Sequence, residues 1–295
     1  MRRFRLTALA ILATCLSALP AVASDPNDYE ALNEANPVQP LPEIPQGVLR
    51  TWEQLGENKP DPKRVRLGRW LFFDKRLSAD NTISCATCHK PENAFSETTP
   101  VSTGIGGQKG GRKAPSFINQ AWTLFPHFFW DGRAASLEEQ AKGPIINPIE
   151  MGMSDHNLVV RKIAAIPGYA RYFEEAFGSE EVNIDRIAKA IADYERTRVS
   201  GNSAWDKWRA NMTDHDRKVI ETLTADTTFG APEGPTQFKD GKHMSAEAKL
   251  GHVLFHNKAG CAQCHLGPNF TDSKFHNLGV GWIPEKKEFA DVGRY

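Results

Sequence analysis

The sequence predicts a mainly α-helical fold built from two related units in tandem. Apolar residues recur at helical spacing, as in Ile184, Ile187 and Ile191, and no alternating strand pattern of useful length is present. The pattern L-G-x-x-L-F-x-x-K occurs twice, at residues 67–75 and 250–258, and a C-x-x-C-H motif follows each copy. An internal repeat of this kind indicates a duplicated structural unit.

Composition places the chain among globular proteins. It has 295 residues, of which 40% are hydrophobic, and 36 Lys and Arg residues balance 36 Asp and Glu residues. This apolar content suffices for a core, and the lack of net charge argues against disorder. The balance also leaves no positive surplus for phosphates, so nucleic acid is not expected as a partner. The length fits about two domains.

The amino terminus has the features of a secretory signal peptide, which we assign to residues 1–23. Three arginines precede an apolar run, which ends in the small-residue site Ala21-Val22-Ala23. We expect cleavage after Ala23, export, and no membrane span in the mature protein. An uncleaved anchor is one alternative, and a lipoprotein at Cys15 is another. Residues 24–48 are rich in proline and polar residues, which predicts an extended lead-in.

Two C-x-x-C-H motifs contain four of the five cysteines. They are Cys85-Ala-Thr-Cys88-His89 and Cys261-Ala-Gln-Cys264-His265. The pattern is typical of c-type haem attachment. Positions i, i+3 and i+4 share one face of a helical turn, so two thiols can reach the two vinyl groups of one porphyrin while the histidine faces the iron. We therefore expect two covalently bound haem c groups, with His89 and His265 as iron ligands.

Three other kinds of site also use paired cysteines. Disulfides suit an exported protein, but they do not need a histidine after each pair. A thioredoxin-like redox pair requires a βαβ context that the sequence does not predict. A zinc ribbon requires its two cysteine pairs to be close in sequence, and here they are far apart. The two copies and their paired histidines favour haem over all three.

The repeat divides the mature chain into two predicted domains. The first covers residues 49–199 and the second covers residues 200–295, with the boundary in the polar segment 198–203. The chain stops 30 residues after His265, and residues 266–295 contain no predicted closing helix and no second axial ligand. We therefore expect a second cytochrome-c-like domain that is truncated at its carboxy terminus.

Helix starts and one loop can be assigned within the first domain. Ser136, Ser154 and Asn183 each precede an apolar helical pattern and are predicted to cap a helix. The glycine-rich segment 104–111 is predicted to be a flexible loop. It lacks the residue order and the flanking strand of a phosphate-binding loop.

These motifs resemble the bacterial di-haem cytochrome c peroxidase and MauG family over residues 60–295. In that family, the segment that leads into the first haem-attachment motif is similar to LGRWLFFDKRLS followed by TISCATCH. The segments that form its peroxidatic pocket are similar to FFWDGRAASLEEQA followed by GPIINPIEM. Segments 265–272, 275–279 and 291–295 resemble the region after the second haem in that family. The resemblance implies that the second haem's axial Met or Tyr lies beyond the end of this chain.

The resemblance also implies roles around the first haem. His89 would be the proximal iron ligand, with the opposite haem face open to peroxide. Glu150, in N-P-x-E-M, would be the distal acid–base group, and Gln140 would assist with a hydrogen bond. A carboxylate beside the iron can take a proton from one peroxide oxygen and return it to the other. Without the motif, a surface carboxylate would be the preferred interpretation of Glu150.

Trp130 and Arg133 belong to the same F-F-W-D-G-R segment, and each leaves two interpretations open. Trp130 would lie on the electron path between the haems, or it would pack as an ordinary aromatic residue. Arg133 would pair with a haem propionate, which suits a planar guanidinium group, or it would form a salt bridge with Asp131.

The sequence departs from the family pattern at two places. Many members have a histidine ligand in the loop after the first haem, whereas this chain has no histidine between His89 and His127. The departure suggests an iron that is open without reductive activation, as in MauG-like members, with His127 as a substitute ligand to consider. Lys113 stands where the family often has a calcium-binding Asn. An ammonium group cannot ligate Ca²⁺ but backbone carbonyls can, so calcium stays an open prediction.

Taken together, the resemblance implies a periplasmic di-haem peroxidase that reduces hydrogen peroxide to water at the first haem. Electrons would arrive singly through the second haem from a small donor protein, either a cytochrome c or a cupredoxin. Two alternatives remain: a MauG-like oxidase that acts on a partner protein, and a non-catalytic di-haem electron carrier. Dimers are common in the family, so a homodimer is compatible with this interpretation.

Overall fold

The computed structural model of the chain describes residues 34–48, 50–123, 127–225 and 233–294. The predicted signal peptide with Cys15, the first part of the lead-in and Tyr295 lie outside these described residues. Within the described ranges, none of the helices combines the length and the apolar character that crossing a membrane requires.

The described residues are mainly helical, as the sequence predicts. The helices are α1 (Pro62–Phe73), α2 (Cys85–Cys88), α3 (Leu137–Ile146), α4 (His156–Ala164), α5 (Pro167–Phe177), α6 (Ile184–Arg196), α7 (Ala204–Ala210), α8 (Asp214–Thr224) and α9 (Ala246–His256). Short 3-10 turns lie at Trp52–Asn58, Lys75–Leu77, Pro91–Asn93, Ile105–Gly107, Gln120–Trp122 and Cys261–Gln263. Strands β1 (Trp282–Ile283) and β2 (Glu288–Phe289) pair antiparallel in a small hairpin.

Side-chain caps set the starts of the central helices. Ser136 accepts a hydrogen bond from the backbone N–H of Glu139 and caps α3, and Asn183 caps α6 in the same way. These two predictions are confirmed. The predicted cap at Ser154 is wrong, because the neighbouring Asp155 directly precedes α4 and accepts from the backbone N–H of Leu158. The Ser154 hydroxyl instead donates to the Asp155 carboxylate.

The larger hydrophobic cluster is centred on the packing of α1 against α6. Leu67 and Leu71 of α1 and Ile187 of α6 are fully buried there. Gly68 lies where the two helices approach, because a Cβ at this position would lie 1.8 Å from the carbonyl oxygen of Ala190. The glycine of the first repeat copy is therefore required by helix packing.

A smaller hydrophobic cluster lies in the second half of the chain. Trp208 of α7, Val219 of α8 and Val253 of α9 form it together with Phe238. The segment that connects α6 to α7 separates the two clusters and contains the predicted boundary at residues 198–203. The clusters suit a two-unit organisation, and the domain limits themselves remain a prediction.

Candidate functional site

The first C-x-x-C-H motif is held in a single helical turn that presents its histidine in a defined orientation. Ser84 caps the turn α2 and is paired with Thr87. The Nδ1 atom of His89 lies 3.0 Å from the carbonyl oxygen of Phe95. Because a carbonyl only accepts hydrogen bonds, Nδ1 carries the proton, which leaves the lone pair on Nε2. A hydrogen bond of this kind fixes the ring of a metal-binding histidine.

The second motif repeats this arrangement. The Nδ1 atom of His265 lies 3.1 Å from the carbonyl oxygen of Phe270. Phe95 and Phe270 both have left-handed backbone conformations, with φ of 57° and 50°. The strained residue after each motif therefore presents a carbonyl group to the histidine. In both units this aromatic residue is followed by a polar one, in Phe95-Ser96 and in Phe270-Thr271.

The state of the cysteines fits haem attachment better than disulfides and, at the first motif, better than a redox-active pair. Cys85, Cys88, Cys261 and Cys264 are all free, so the disulfides considered from the sequence are not formed among the described residues. Burial raises the pKa of the Cys85 and Cys88 thiols above the usual range. A redox-active C-x-x-C pair requires the opposite shift, because its nucleophile is the thiolate.

A cavity of about 320 Å³ adjoins the first motif. Its volume lies within the usual range of cofactor and ligand pockets. The cavity is mainly apolar, and the residues with functional groups that line it include Cys85, Cys88, His89, Trp130, Arg133, Gln140, Glu150 and Glu195. The thiols, the oriented histidine and the apolar walls fit a haem c group, with thioether bonds to the cysteines and His89 as the iron ligand.

Glu150 lines this cavity from the turn that follows α3. The side-chain amide of Asn147 donates a hydrogen bond to its Oε1 atom at 2.9 Å. Burial raises the pKa of the Glu150 carboxyl, and the charge of Arg133 and the Asn147 hydrogen bond oppose that shift. A carboxyl group with a raised pKa is suited to acid–base work near neutral pH. Gln140, on α3, lines the same cavity, so the structure brings both predicted residues to the first motif.

The glycine-rich segment 104–111, predicted to be a flexible loop, is anchored where it meets Glu150. The backbone N–H of Ile105 donates to the carbonyl oxygen of Glu150 at 2.9 Å. A Cβ on Gly104 would lie 1.9 Å from the carbonyl oxygen of Ile149. Only glycine permits this approach, so Gly104 helps to position the turn that carries Glu150.

Trp130 and Arg133 lie at the rim of the cavity. The Trp130 side chain lines the cavity and its Nε1–H donates to the carbonyl oxygen of Lys113 at 2.7 Å, and both sequence interpretations of its role stay predictions. Arg133 forms a salt bridge with Asp131 at 2.8 Å, as one of the two sequence interpretations proposed. Its guanidinium group also lies over the Phe129 ring, 3.6 Å from the centroid.

The same rim contacts the second half of the chain through Arg112. Its guanidinium group donates to Asp131 at 2.8 Å and to both carboxylate oxygens of Asp291 at 2.6 and 2.7 Å. The Arg294 side chain donates to the carbonyl oxygen of Gly132. The two residues that follow Trp130 are thus linked to the carboxy-terminal segment, Asp131 through Arg112 and Gly132 directly. This contact places Trp130 between the first cavity and the second unit.

Glu195 is a buried carboxyl group that sequence analysis missed. It is 5% exposed and lines the cavity of the first motif. Its Oε2 atom has no hydrogen-bond partner among the described residues. Burial raises the pKa of Glu195 to about 8. One sequence signal was available, because Glu195 lies four residues after Ile191 on the buried stripe of α6.

His127 and Lys113 both lie close to the first motif. His127 is exposed, lies beside Phe275 with ring centroids 6.1 Å apart, and lines a smaller cavity together with His89. The Lys113 carbonyl oxygen accepts the Trp130 hydrogen bond. The substitute-ligand role of His127 and the binding of calcium both stay predictions.

Comparisons with known proteins agree with this geometry. The family described as di-haem cytochrome c peroxidase matches residues 62–214. The chain is 40% identical over 238 residues to the methylamine utilization protein MauG of Methylorubrum extorquens, covering 80% of this chain and 57% of that protein. It is 37% identical over 216 residues to the cytochrome c551 peroxidase of Nitrosomonas europaea, covering 73% of this chain and 55% of that protein.

A solved structure shares the fold. A MauG-like protein associated with microbial copper homeostasis superposes with a TM-score of 0.54 at 27% identity, covering 82% of this chain and 61% of that one. The chain thus spans somewhat more than half the length of the curated relatives named above.

Proposed function

The chain belongs to the di-haem cytochrome c peroxidase family, and from this premise we propose that it reduces hydrogen peroxide to water. The observation that carries the proposal is that Glu150, Gln140 and the first C-x-x-C-H motif line one cavity. A non-catalytic electron carrier has no need of a buried carboxyl group with a raised pKa at this position.

The proposed cofactors are two haem c groups, attached through Cys85 and Cys88 and through Cys261 and Cys264. When bound, haem c supplies the electron-transfer chemistry of peroxide reduction. His89 and His265 would bind the iron, and the carbonyl oxygens of Phe95 and Phe270 accept from Nδ1 and hold each ring in place.

The protein's own residues transfer protons and hydrogen-bond to the substrate. Peroxide reduction uses two electrons and two protons and yields two water molecules. Glu150 takes a proton from one peroxide oxygen and gives it to the other, which leaves as water. The Asn147 amide holds the carboxyl in place at 2.9 Å. Gln140 donates a hydrogen bond to peroxide, and the apolar walls limit access of bulk water to the site.

Electrons are proposed to reach the first site one at a time through the second haem. Trp130 lies between the first cavity and the carboxy-terminal segment, which supports a place on this path. Arg133 is proposed to bind a haem propionate while it keeps its contact with Asp131. A small periplasmic cytochrome c or cupredoxin would be the donor. Periplasmic location and a homodimer are further proposals from the sequence.

The test is a stopped-flow reaction of ferric and half-reduced protein with peroxide, followed at the Soret band. Glu150→Gln is expected to slow the reaction by about 10²–10⁴-fold, the usual contribution of a general acid–base group. Glu139→Gln is the matched control, because Glu139 is an exposed carboxylate on the preceding helix that pairs with Lys142. Unchanged kinetics in Glu150→Gln would remove Glu150 from the mechanism.

The MauG-like alternative rests on one observation, the lack of a histidine between His89 and His127. An iron without that ligand would react with peroxide in the fully ferric protein. If the ferric protein reacts as fast as the half-reduced protein, oxidation of a partner protein becomes the preferred function. A requirement for prior reduction of the second haem would favour the peroxidase.

A further inference from the structure

An aromatic cluster in the second unit plays no part in the mechanism described above. Trp205 of α7 meets His252 and His256 of α9, which share a face because they are four residues apart. The Trp205 and His252 ring centroids are 6.0 Å apart, and those of the two histidines are 4.1 Å apart. The Arg209 guanidinium group lies 4.8 Å from the centroid of the Trp205 ring.

The hydrogen bond between Trp205 and His252 fixes the tautomer of that histidine. The Nε1–H of Trp205 lies 3.1 Å from Nδ1 of His252. Because an indole N–H only donates, Nδ1 of His252 must be an unprotonated acceptor. Burial, followed by the charges of His256 and Arg209, lowers the pKa of His252 to about 4, so the imidazole is neutral near pH 7. An indole proton therefore faces a vacant basic nitrogen.

Four other indoles among the described residues have different hydrogen-bond partners. Trp208 donates to Asp216, whose carboxylate is already paired with the Lys249 ammonium at 3.0 Å. The indoles that donate to backbone carbonyl oxygens are Trp52, Trp122 and Trp130. A carbonyl oxygen is far less basic than an imidazole nitrogen, and hydrogen bonds from Lys249, Thr213 and Trp208 lower the pKa of the Asp216 carboxyl. The Trp205 environment is therefore suited to proton transfer as well as hydrogen bonding.

A chain of aromatic contacts links Trp205 to the second motif. The ring centroids of Trp205 and Phe270 are 5.0 Å apart, those of Phe270 and Phe255 are 5.9 Å apart, and those of Phe255 and His265 are 6.3 Å apart. The Phe270 carbonyl oxygen also accepts the hydrogen bond from Nδ1 of His265. The indole is thus connected to the proposed iron ligand through contacting groups.

We propose that Trp205 and His252 form a proton-coupled redox pair that supplies one electron to peroxide reduction when no donor protein is bound. The inference rests on the proposed function, which provides the oxidant, hydrogen peroxide. Trp205 gives one electron to the haem system as its Nε1–H bond breaks and the proton moves to Nδ1 of His252. A neutral indolyl radical and an imidazolium result. A later one-electron donor reduces the radical, and the proton returns to Nε1.

The charge of Arg209 explains why the electron and the proton must leave together. A guanidinium group over the ring attracts the neutral indole through the cation–π interaction. The same charge repels an indole cation, so loss of an electron alone is disfavoured. Proton transfer to His252 keeps the indole ring neutral, and it moves the positive charge from the ring that contacts Arg209 to the neighbouring imidazole, which the Arg209 charge also disfavours.

The first arm of the test reacts the haem-loaded chain with peroxide in the absence of donor. Electron paramagnetic resonance with ring-deuterated tryptophan is expected to show a neutral indolyl radical. Trp205→Phe is expected to abolish that signal. Trp282→Phe, which alters an exposed indole in the β1–β2 hairpin, is expected to keep it. A signal of equal size in Trp205→Phe overturns the proposal.

The second arm does not depend on the peroxide reaction. Flash-generated ruthenium(III) tris-bipyridine oxidises the haem-loaded chain in a Trp130→Phe/Trp282→Phe background, and transient absorption separates the cation from the neutral radical. His252→Gln keeps an acceptor atom but removes the base, so we expect neutral-radical formation to slow by about tenfold or more. His215→Gln, at a half-buried histidine of α8 whose Nε2 atom lies 3.1 Å from the carbonyl oxygen of Gln237, is the matched control and is expected to change nothing.

The two arms separate the possible failures. If peroxide does not react, the proposed function fails, and the photochemical arm still decides whether the pair exists. If the photo-oxidised indole remains a cation beside an intact His252, the pair is disproved irrespective of the peroxide reaction. If the pair forms photochemically but peroxide yields no Trp205 radical, its link to the haem reaction is disproved.

Discussion

In the first unit, Leu67 and Leu71 of the repeated segment are fully buried against α6, whereas the equivalent Leu250 and Leu254 are 42% and 43% exposed. The equivalent glycines of the two repeat copies differ in the same way. A Cβ on Gly68 would collide with the Ala190 backbone, and a Cβ on Gly251 would meet no atom within 4 Å. The same L-G-x-x-L-F pattern therefore forms the same helix in two environments. The pattern specifies that a helix forms before each motif. Packing against other helices determines how deeply the residues of that helix are buried.

The chemistry around the two histidines also differs. Around His89 the cavity contains two carboxyl groups with raised pKa values, those of Glu150 and Glu195. In the second unit, Phe255 and Phe270 instead connect His265 to the indole of Trp205, which donates to the neutral imidazole of His252. A carboxyl group can exchange protons with a substrate, while an indole can give up an electron. The shared motif thus accompanies two different chemical environments.

The largest effect on stability is expected from truncating the equivalent leucines. Leu71→Ala removes a fully buried side chain and should lower the free energy of unfolding by about 2–5 kcal/mol. Leu254→Ala removes a side chain that is 43% exposed, and a loss below about 1 kcal/mol is expected. Chemical denaturation of both haem-loaded variants measures the difference. Equal losses would show that the two helices are equally packed.

Glu195 is a buried carboxyl group in the first unit, and Asp216 is one in the second. These two groups should make the free energy of unfolding depend on pH in opposite directions. In the first unit, burial raises the pKa of Glu195 to about 8, above its unfolded value near 4.5, so the native state binds the extra proton between these values. The contribution of Glu195 to the free energy of unfolding is therefore present at low pH and is lost as the pH rises toward 8. Glu195→Gln should therefore remove a fall in unfolding free energy of up to about 1.4 kcal/mol per pH unit over this range.

Asp216 in the second unit is the matched case. Burial would raise its pKa, but hydrogen bonds from Lys249, Thr213 and Trp208 outweigh burial and lower it. Its stabilising contribution is present above the unfolded pKa near 3.8 and is lost as the pH falls through the lowered native value. Asp216→Asn should destabilise the protein at pH 7, whereas Glu195→Gln should not. Denaturation at several pH values separates the two, and parallel curves would contradict this account.

The smallest effects are expected from the paired glycine substitutions. Gly68→Ala forces α1 away from α6 and should cost about 1–3 kcal/mol through overpacking. Gly251→Ala adds a methyl group in open space within a helix, and helix propensity should stabilise the protein by about 0.5–1 kcal/mol. Thermal unfolding of both variants tests the sign. A stabilised Gly68→Ala would show that the α1–α6 contact is looser than described.

Local features were predictable because they depend on nearby residues. The helical class, the caps at Ser136 and Asn183 and both C-x-x-C-H motifs involve interactions within a few residues. The cap at Ser154 was misplaced by one position because Ser154 and Asp155 are both good capping residues, and only the adjoining backbone geometry distinguishes them. The resemblance of the motifs correctly identified the family.

The sequence by itself determined where the two histidines and four cysteines stand, since the spacing within one helical turn is enough to bring them together. Only the tertiary structure decided which distant side chains join them. Glu195 lies more than a hundred residues from Cys85 yet lines the same cavity, and Trp205 meets His252 through the packing of α7 near α9. The physical reason is that burial, tautomer and pKa depend on every group that surrounds a residue, and helix packing sets those neighbours.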